Sequence, residues 1–180
     1  MSKEDLLLKN INGGKPFPIC FDDLEQAVAD KIPAGPYGYV RSGAGGEESL
    51  RNNRHAFAKY SIVPRFLTDV SNPDTSIELF GKKHPTPFLF APVGMNKMAH
   101  EDGELAVVRA AEKLEMPYIQ STVSSYALEE VAAVAPNHTK WFQLYWSTNE
   151  EIAYSMAARA ETAGFEAIVL TVDTVMLGWR

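Results

Sequence analysis

The second half of the chain alternates short apolar runs with stretches in which apolar residues recur every three or four positions. A continuous apolar run of this kind is typical of a strand buried on both faces. A recurrence every three or four positions is typical of a helix with one buried stripe. We predict four strands on this basis, within the segments "PFLFAP", "PYIQST", "WFQLY" and "EAIVLTVD".

Three helices are predicted between those strands, each with one apolar stripe. The stripes are Val107, Ala110, Ala111 and Leu114; Leu128, Val131, Ala132 and Ala135; and Ala153, Met156, Ala157 and Ala160. Thr148 and Glu151 match a capping box at the start of the third helix. Gly164 suits the end of that helix, because glycine adopts the left-handed backbone conformation at little cost.

The sequence before residue 87 has a less regular pattern. Residues 1–20 mix Asn, Gly, Lys and Pro without a period, which predicts a loosely held N-terminal arm. A helix capped by Asp22 or Asp23 is predicted to end before Pro33. The segment "GPYGYVRSGAGGEESLRNNRHAFAKY" then predicts a helix, a glycine-rich bend and another helix. We therefore divide the chain into an arm, 1–20, and a main part, 21–180.

Strands that alternate with helices indicate an α/β protein with a parallel sheet, because parallel neighbours need crossover connections. A doubly wound sheet and a (β/α) barrel both satisfy this pattern. A complete eight-stranded barrel takes about 250 residues. Four strands within residues 87–180 therefore correspond to about half a barrel at normal spacing.

Composition narrows the classes of partner. The 17 Lys and Arg residues against 23 Asp and Glu residues give a net charge of −6, which argues against a nucleic-acid surface. Cys20 is the one cysteine, so an intramolecular disulfide and a multi-cysteine metal site are excluded, and a reducing cytoplasm is favoured. No apolar run approaches the roughly 18 residues of a membrane span. We predict a cytoplasmic protein with a small-molecule ligand and no metal site.

Polar residues follow or end each predicted strand, where α/β folds gather their chemistry. Hydroxyl, carboxamide, phenol and carboxylate groups together would suit the edge of a flat heteroaromatic ligand. Polar residues also end strands simply because the chain reaches solvent there. The residues are Pro92, Val93 and Gly94; Ser121 and Thr122; Gln143 and Tyr145; and Thr171, Asp173 and Thr174.

Four segments, "APVGMNKMAHEDGE", "WFQLY", "LTVDT" and "LGWR", resemble in order and spacing the FMN-dependent L-2-hydroxy acid oxidases and dehydrogenases. The similarity extends back through "YGYVRSGAGGEESLRNNRHAFAKYSIVPRFLTDVS" and covers nearly all of residues 21–180. The "GWR" ending and Gly94 are most similar to the lactate 2-monooxygenase branch. The resemblance implies a (β/α)8 TIM barrel, of which this chain holds an N-terminal helical segment and about the first four β/α units.

The resemblance also implies FMN as the cofactor and assigns residues to it. Backbone groups of the first strand end would lie against the flavin, and three side chains from the next strand ends would hydrogen-bond to its ring edge. Such bonds place and tune the flavin ring. The backbone positions are Pro92, Val93 and Gly94, and the side chains are Ser121, Gln143 and Thr171.

Substrate and catalytic roles follow from the same resemblance. Tyr39 and Tyr145 match phenols that meet the carboxylate and hydroxyl of a 2-hydroxy acid, and Arg180 matches an arginine near that carboxylate. Asp173 matches the carboxylate that orients the catalytic histidine. Core packing for Tyr39 and a loop cap for Asp173 are the structural alternatives.

None of the four histidines fills the role of the catalytic base, which by resemblance comes from a later strand; they are His55, His84, His100 and His138. We therefore expect a second polypeptide segment that completes the barrel. We also expect a homo-oligomer. The complete enzyme would oxidise an L-2-hydroxy acid, with L-lactate favoured, to the 2-oxo acid or its decarboxylated product.

Two alternatives stay open from sequence. One is a noncatalytic half-barrel fragment or association module, and the weaker one is another FMN barrel such as a type 2 isopentenyl diphosphate isomerase. Glycolate is disfavoured as substrate because glycolate oxidases usually carry alanine at the position of Gly94 and an aromatic residue at that of Val123. The glycine would remove a methyl group beside the flavin, which leaves oxygen, a quinone and a cytochrome open as electron acceptors.

Overall fold

The computed structural model describes residues 20–29, 31–174, 176 and 178–179. The predicted arm therefore lies outside the described residues except for Cys20, which is exposed. Contacts within the chain form two compact units, residues 1–42 and 43–180. No helix of the described ranges is long and apolar enough to cross a membrane.

The first unit contains helix α1, Phe21–Ala29, and helix α2, Ala34–Arg41. Asp22 and Asp23 lie inside the first turn of α1, so the prediction that one of them precedes and caps the helix was wrong. Their negative charges still suit the positive end of the helix dipole. The Glu25 carboxylate joins the two helices, because its Oε1 accepts from the Arg41 Nε at 2.6 Å.

The second unit begins with a glycine-containing bend and helix α3, Glu48–Ala56, as predicted. After a 3-10 turn, Phe57–Lys59, an irregular stretch leads to a β-hairpin that was not predicted. Its strands are β1, Ile77–Leu79, and β2, Lys82–His84. Phe80 and Gly81 form the two-residue turn with φ of 50° and 74°, the backbone form whose twist matches a hairpin.

The hairpin lies against the amino-terminal end of the main sheet. The Phe80 ring packs edge-on against Trp141 at 5.2 Å between ring centres, and Lys82 Nζ lies 2.6 Å from Glu166 Oε1. Trp141 is near the start of one strand and Glu166 directly precedes another. The candidate residues at the carboxyl ends of the strands are therefore at the opposite end of the sheet.

The main sheet has three parallel strands in the order β3, β4, β5, which confirms the predicted parallel arrangement. The strands are Tyr118–Gln120, Lys140–Tyr145 and Ala167–Thr171. The helices that alternate with them are α4, Gly103–Lys113; α5, Leu128–Val134; and α6, Glu150–Thr162.

The first predicted strand is reduced to a single parallel bridge between Phe90 and Tyr118. Phe90 N donates to Pro117 O at 2.9 Å, and Ile119 N donates to Phe90 O at 3.0 Å. The prediction of a strand buried on both faces was wrong here, since Phe88 is 68% exposed. Its segment lies at the sheet edge, with no second neighbour among the described strands.

The helix stripes are confirmed for two of the three helices. All four stripe residues of α5 are buried, and in α6 Ala153 and Ala160 are buried while Met156 and Ala157 are half-buried. These side chains pack on one face of the sheet in cores around Phe142 and Tyr118. In α4 the prediction was wrong by part of a turn: Ala110 and Leu114 are exposed, and the buried residues are Gly103, Glu104, Val108 and Ala111.

The ends of α6 differ in how well they were predicted. The N-cap is Asn149, whose Oδ1 accepts from Glu151 N at 3.0 Å, so the capping box at Thr148 was wrong by one residue. Gly164 has φ 82° and ends the helix as predicted. Phe165 N donates to Ala160 O at 2.9 Å and Gly164 N donates to Glu161 O at 3.0 Å, the two bonds of a Schellman motif.

Candidate active site

The pairing of the strands places the predicted site residues on one face of the sheet. Phe142 and Leu144 of β4 pack into the helix-side core. Because successive residues of a strand point to opposite faces, Gln143 and Tyr145 face away from the helices. Thr171 pairs with Tyr145 and shares that face. Ser121 follows Gln120, which pairs with Phe142, so Ser121 lies beside Gln143 on the same face.

The carboxamide of Gln143 is the centre of this face. Gln143 is 2% exposed, and its Nε2 donates to Thr171 Oγ1 at 2.8 Å. Its Oε1 accepts from Thr122 N at 3.1 Å. These two bonds orient the amide with its oxygen toward β3 and its nitrogen toward β5. The Thr171 hydroxyl accepts from Gln143, so its own hydrogen is available to a ligand.

Thr122 holds the end of β3 against β4. Its Oγ1 donates to Gln143 O at 2.5 Å and accepts from Tyr145 N at 3.1 Å. The hydroxyl thus continues the backbone pairing one step beyond the assigned strand and fixes the backbone of both candidate residues. From sequence, Thr122 was predicted only as a strand-end residue without a role, and its position directly after Ser121 was the available signal.

Ser121 is 4% exposed and belongs to the turn that follows β3. Its Oγ accepts from Val123 N at 3.2 Å, and its carbonyl accepts from Ser124 Oγ at 2.8 Å. The acceptor capacity of the hydroxyl is therefore partly used by the turn, while its hydrogen remains available as a donor.

Gly94 lies where two loops approach each other closely. A Cβ at this position would meet Val123 Cγ2 at 2.5 Å, closer than non-bonded carbon atoms approach. Met95 N donates to Val123 O at 3.0 Å beside it. The methyl group that glycine lacks would therefore point at Val123, so the two positions that the resemblance sets apart from glycolate oxidases lie side by side.

The other predicted site residues are more accessible. Pro92 and Gly94 are half-buried and Val93 is 57% exposed, with its carbonyl accepting from Asn96 Nδ2 at 3.1 Å. Tyr145 is 38% exposed, and Asp173 is exposed after the end of β5. Tyr39 lies in α2 of the first unit and is 49% exposed. Arg180 lies outside the described residues.

The histidines have structural surroundings. His84 is buried at the end of the hairpin, His100 Nδ1 accepts from Asp102 N at 3.1 Å, and His138 Nε2 lies 2.9 Å from Met116 O. His55 is exposed in α3. Within the part of the chain that the structure describes, no group of three or more His, Cys, Asp or Glu residues could hold a metal ion.

Parallel βαβ units with polar residues at the strand ends define an α/β protein of the class that carries its chemistry at the carboxyl ends of its strands. A family model for FMN-dependent dehydrogenases matches residues 28–180. The chain belongs to this FMN-dependent family.

The relatives agree with this assignment. An L-lactate oxidase of Lysinibacillus sphaericus (strain C3-41) is 80% identical over 176 residues, which are 98% of this chain and 46% of that protein. The 4-hydroxymandelate oxidase of Amycolatopsis orientalis is 42% identical over 88% of this chain and 44% of its own length. The human 2-hydroxyacid oxidase 1 is 38% identical over 92% of this chain and 45% of its own length. The chain thus spans about half the length of these relatives.

Solved structures give the same result for the fold. Mandelate oxidase with (S)-4-hydroxymandelic acid superposes with a TM-score of 0.83 at 41% identity, over 91% of this chain and 45% of that one. Mandelate oxidase with 3,3-difluoro-2-hydroxy-3-phenylpropionic acid gives 0.82 at 42% identity, over 88% and 47%. The predicted fold class, the first half of a TIM barrel, is confirmed.

FMN is the cofactor of this family, and the donors on the sheet face fit such a ligand. The ring edge of a flavin offers carbonyl oxygens and unprotonated ring nitrogens, which need donors. The free hydrogens of Ser121 and Thr171 and the second Nε2 hydrogen of Gln143 are donors on one face. The bonds to Thr122 and Thr171 hold the Gln143 amide in a fixed orientation, which prepares the site before a ligand arrives.

Proposed function

We propose that this chain supplies the first half of an enzyme that uses FMN to oxidise an L-2-hydroxy acid, with L-lactate favoured. The product would be the 2-oxo acid or its decarboxylated derivative. The observation that carries the proposal is the placement of Ser121 beside the hydrogen-bonded pair of Gln143 and Thr171 on one sheet face. The 80% identity to an L-lactate oxidase supports lactate over larger hydroxy acids.

In this proposal the three side chains bind the ring edge of FMN, and the loop backbone at Pro92, Val93 and Gly94 lies against the ring. FMN supplies the chemistry of accepting electrons from the substrate. The chain itself would position the ring through hydrogen-bond donors. The Gln143 donor already has a fixed orientation, because its amide bonds to Thr122 on one side and to Thr171 on the other.

Substrate binding is assigned to phenol and guanidinium groups. Tyr145 is on the same face as Gln143 and partly exposed, so its hydroxyl is available for the substrate's carboxylate or hydroxyl. Tyr39 and Arg180 complete this set in the proposal. Asp173, two residues beyond Thr171, would hold and orient a catalytic histidine that comes from a second polypeptide segment.

The outer face of β5 supports a second segment. Ile168 and Leu170 pair with Phe142 and Leu144 and therefore lie on the helix side of the sheet. They are nevertheless 44% and 49% exposed. The far edge of β5 also has no partner among the described strands. A strand and helix that continue the barrel would pair with that edge and cover both side chains.

Residues 57–70 form a second exposed apolar surface. Its large apolar side chains are at least 74% exposed, and isolated chains seldom keep such surfaces in water. We propose that the segment that completes the barrel covers this stretch too. The residues are Phe57, Tyr60, Ile62, Val63, Phe66, Leu67 and Val70.

Oxygen uptake with L-lactate and FMN tests the proposed function. The chain is measured alone and after mixing with the C-terminal half of the 80% identical L-lactate oxidase. We expect turnover only in the mixture. Thr171→Val should reduce FMN affinity roughly tenfold by removing one hydrogen bond. Thr162→Val is the control, because its hydroxyl bonds within exposed α6. Equal effects of both substitutions would reject the assignment of Thr171.

A noncatalytic association module is the second candidate, and the exposed apolar surfaces favour it. A mixture that assembles but neither binds FMN nor consumes oxygen would support this candidate. Turnover by the chain alone, with intact mass spectrometry showing a single polypeptide, would show that no second segment is needed. A homo-oligomer and a cytoplasmic location complete the proposal, the latter because Cys20 is unpaired.

A further inference from the structure

Glu104 is a fully buried carboxylate near the start of α4. Its Oε1 accepts two backbone hydrogen bonds, from Asn96 N at 3.0 Å and from Ser125 N at 2.9 Å. The two donors belong to different loops, one after the Phe90 bridge and one after β3. One oxygen atom therefore ties together the two loops that follow the first two strand positions of the barrel.

These loops carry the residues assigned to the flavin. The first loop begins at Pro92, Val93 and Gly94, and the second begins at Ser121. Two further bonds join them, from Met95 N to Val123 O at 3.0 Å and from Lys97 N to Ser125 Oγ at 3.2 Å. Among these links Glu104 alone is a fully buried side chain that bonds to both loops through one atom.

The burial of this carboxylate is costly. Its Oε2 is buried and has no hydrogen-bond partner among the described residues. A buried polar atom without a partner destabilises the folded state. Neighbouring positions of the same stripe, Val108 and Ala111, are apolar, so an apolar residue at 104 would satisfy the packing of α4. The two backbone hydrogen bonds to Oε1 therefore explain the presence of this carboxylate better than packing does.

We propose that Glu104 is a positioning residue for the cofactor site, which fixes the spacing between the loop at Pro92–Gly94 and the turn at Ser121. This inference rests on the proposed function, because it assigns the fixed spacing to FMN. Loss of the tether should let the two loops separate. The flavin would then lose either its backbone contacts on one side or its ring-edge donor on the other.

The test uses Glu104→Leu, which removes the acceptor at similar volume, and Glu104→Gln, which keeps a neutral acceptor. Glu112→Gln removes an exposed charge from the same helix and serves as the control. Amide hydrogen exchange at Asn96 and Ser125 is measured on the chain, and FMN dissociation constants are measured on the assembled protein. In Glu104→Leu we expect roughly tenfold faster exchange at both amides and roughly tenfold weaker FMN binding. Glu104→Gln should restore part of each.

Unchanged exchange at either amide, or faster exchange with unchanged FMN affinity, would overturn the inference. If Glu104→Leu does not fold, the same comparison between Glu104→Gln and Glu112→Gln decides the question. Failure of the unsubstituted assembly to bind FMN would instead reject the proposed function. In that case the exchange measurement still decides whether Glu104 ties the loops.

Discussion

At the scale of single residues, the candidate site is built from polar side chains whose partners are within the protein. Gln143 uses one amide hydrogen and one lone pair on Thr171 and Thr122, and this fixes its orientation. Ser121 and Thr171 accept hydrogen bonds from the protein and keep their own hydrogens. The face is therefore rich in hydrogen-bond donors held in fixed directions. A planar ligand with acceptor atoms along its edge requires such donors.

The contact between Gly94 and Val123 yields a stability prediction. Gly94→Ala should lower the free energy of unfolding by about 1–3 kcal/mol, because the new Cβ overlaps Val123 Cγ2. Adding Val123→Ala should recover part of this loss. Urea unfolding of the four members of the cycle measures the coupling. Gly38→Ala is the control, since a Cβ there meets no atom within 4 Å. Strictly additive effects would show that the two positions do not interact.

Tyr118 gives a prediction for alkaline pH. Burial, and then the negative charge of Glu104, raise the pKa of Tyr118 far above its usual value of 10.0. Above pH 10 the unfolded tyrosine loses its proton while the folded one keeps it, so the folded state binds more protons and stability falls as pH rises. The decrease should be about 1.4 kcal/mol per pH unit.

Urea unfolding of the unsubstituted chain and of Tyr118→Phe between pH 9 and pH 11.5 isolates this effect. Other titrating groups cancel in the difference between the two proteins. The stability advantage of the unsubstituted chain should shrink above pH 10. A difference that stays constant over this range would mean that Tyr118 ionises as readily in the folded state as in the unfolded state.

At the scale of elements, polar side chains tie the helix ends to the sheet and to each other. Lys140 at the start of β4 is fully buried, and its Nζ donates to Ala135 O at 2.6 Å, His138 O at 2.7 Å and Pro136 O at 3.2 Å. The ammonium group thus caps the carboxyl end of α5, where the helix dipole is negative. Arg159 and Glu129 join α6 to α5 with paired bonds of 2.8 and 2.9 Å.

Lys140→Met should destabilise the chain by about 2–3 kcal/mol, because methionine fills the space but leaves buried carbonyls without donors. Lys113→Met at the exposed end of α4 is the control and should change stability little. Urea unfolding gives the difference, and amide exchange in α5 locates it. Equal stability of the two variants would show that the Lys140 bonds contribute nothing net.

The elements also show what the sequence could predict. The stripes of α5 and α6 were predictable because every buried position there is apolar. The stripe of α4 was misplaced because its buried face includes Glu104, a charged residue that pattern analysis assigns to the surface. The hairpin was missed because its turn places Phe80, a bulky residue, at positive φ, where glycine or asparagine is expected.

The site was predictable to a similar extent. The sequence predicted Ser121, Gln143 and Thr171 only as residues at the ends of successive strands, and the strand register that brings them to one face is a finding of the structure. The hydrogen bonds of Glu104 and Thr122 depend on contacts between segments that are distant in sequence. Such contacts leave no periodic pattern in the sequence. The roles of the individual site residues came from family resemblance and stay predictions.

At the scale of the whole molecule, the chain holds the first half of a TIM barrel, and the proposed completing segment would cover its exposed apolar faces. Ile168 and Leu170 on β5 and the apolar residues of the stretch 57–70 are exposed together. The relatives named above are about twice as long as this chain. Covering these surfaces by a completing segment would supply both the missing hydrophobic burial and the catalytic histidine.

An anaerobic absorbance spectrum of the chain assembled with its completing segment and FMN tests whether the assembled protein oxidises an L-2-hydroxy acid through the flavin. We expect L-lactate to bleach the visible flavin band, since the substrate's electrons pass to the ring. D-lactate serves as the stereochemical control and should leave the band unchanged. A band that persists with L-lactate but disappears with dithionite would refute the proposed activity, because the flavin would then be bound and reducible without accepting electrons from an L-2-hydroxy acid.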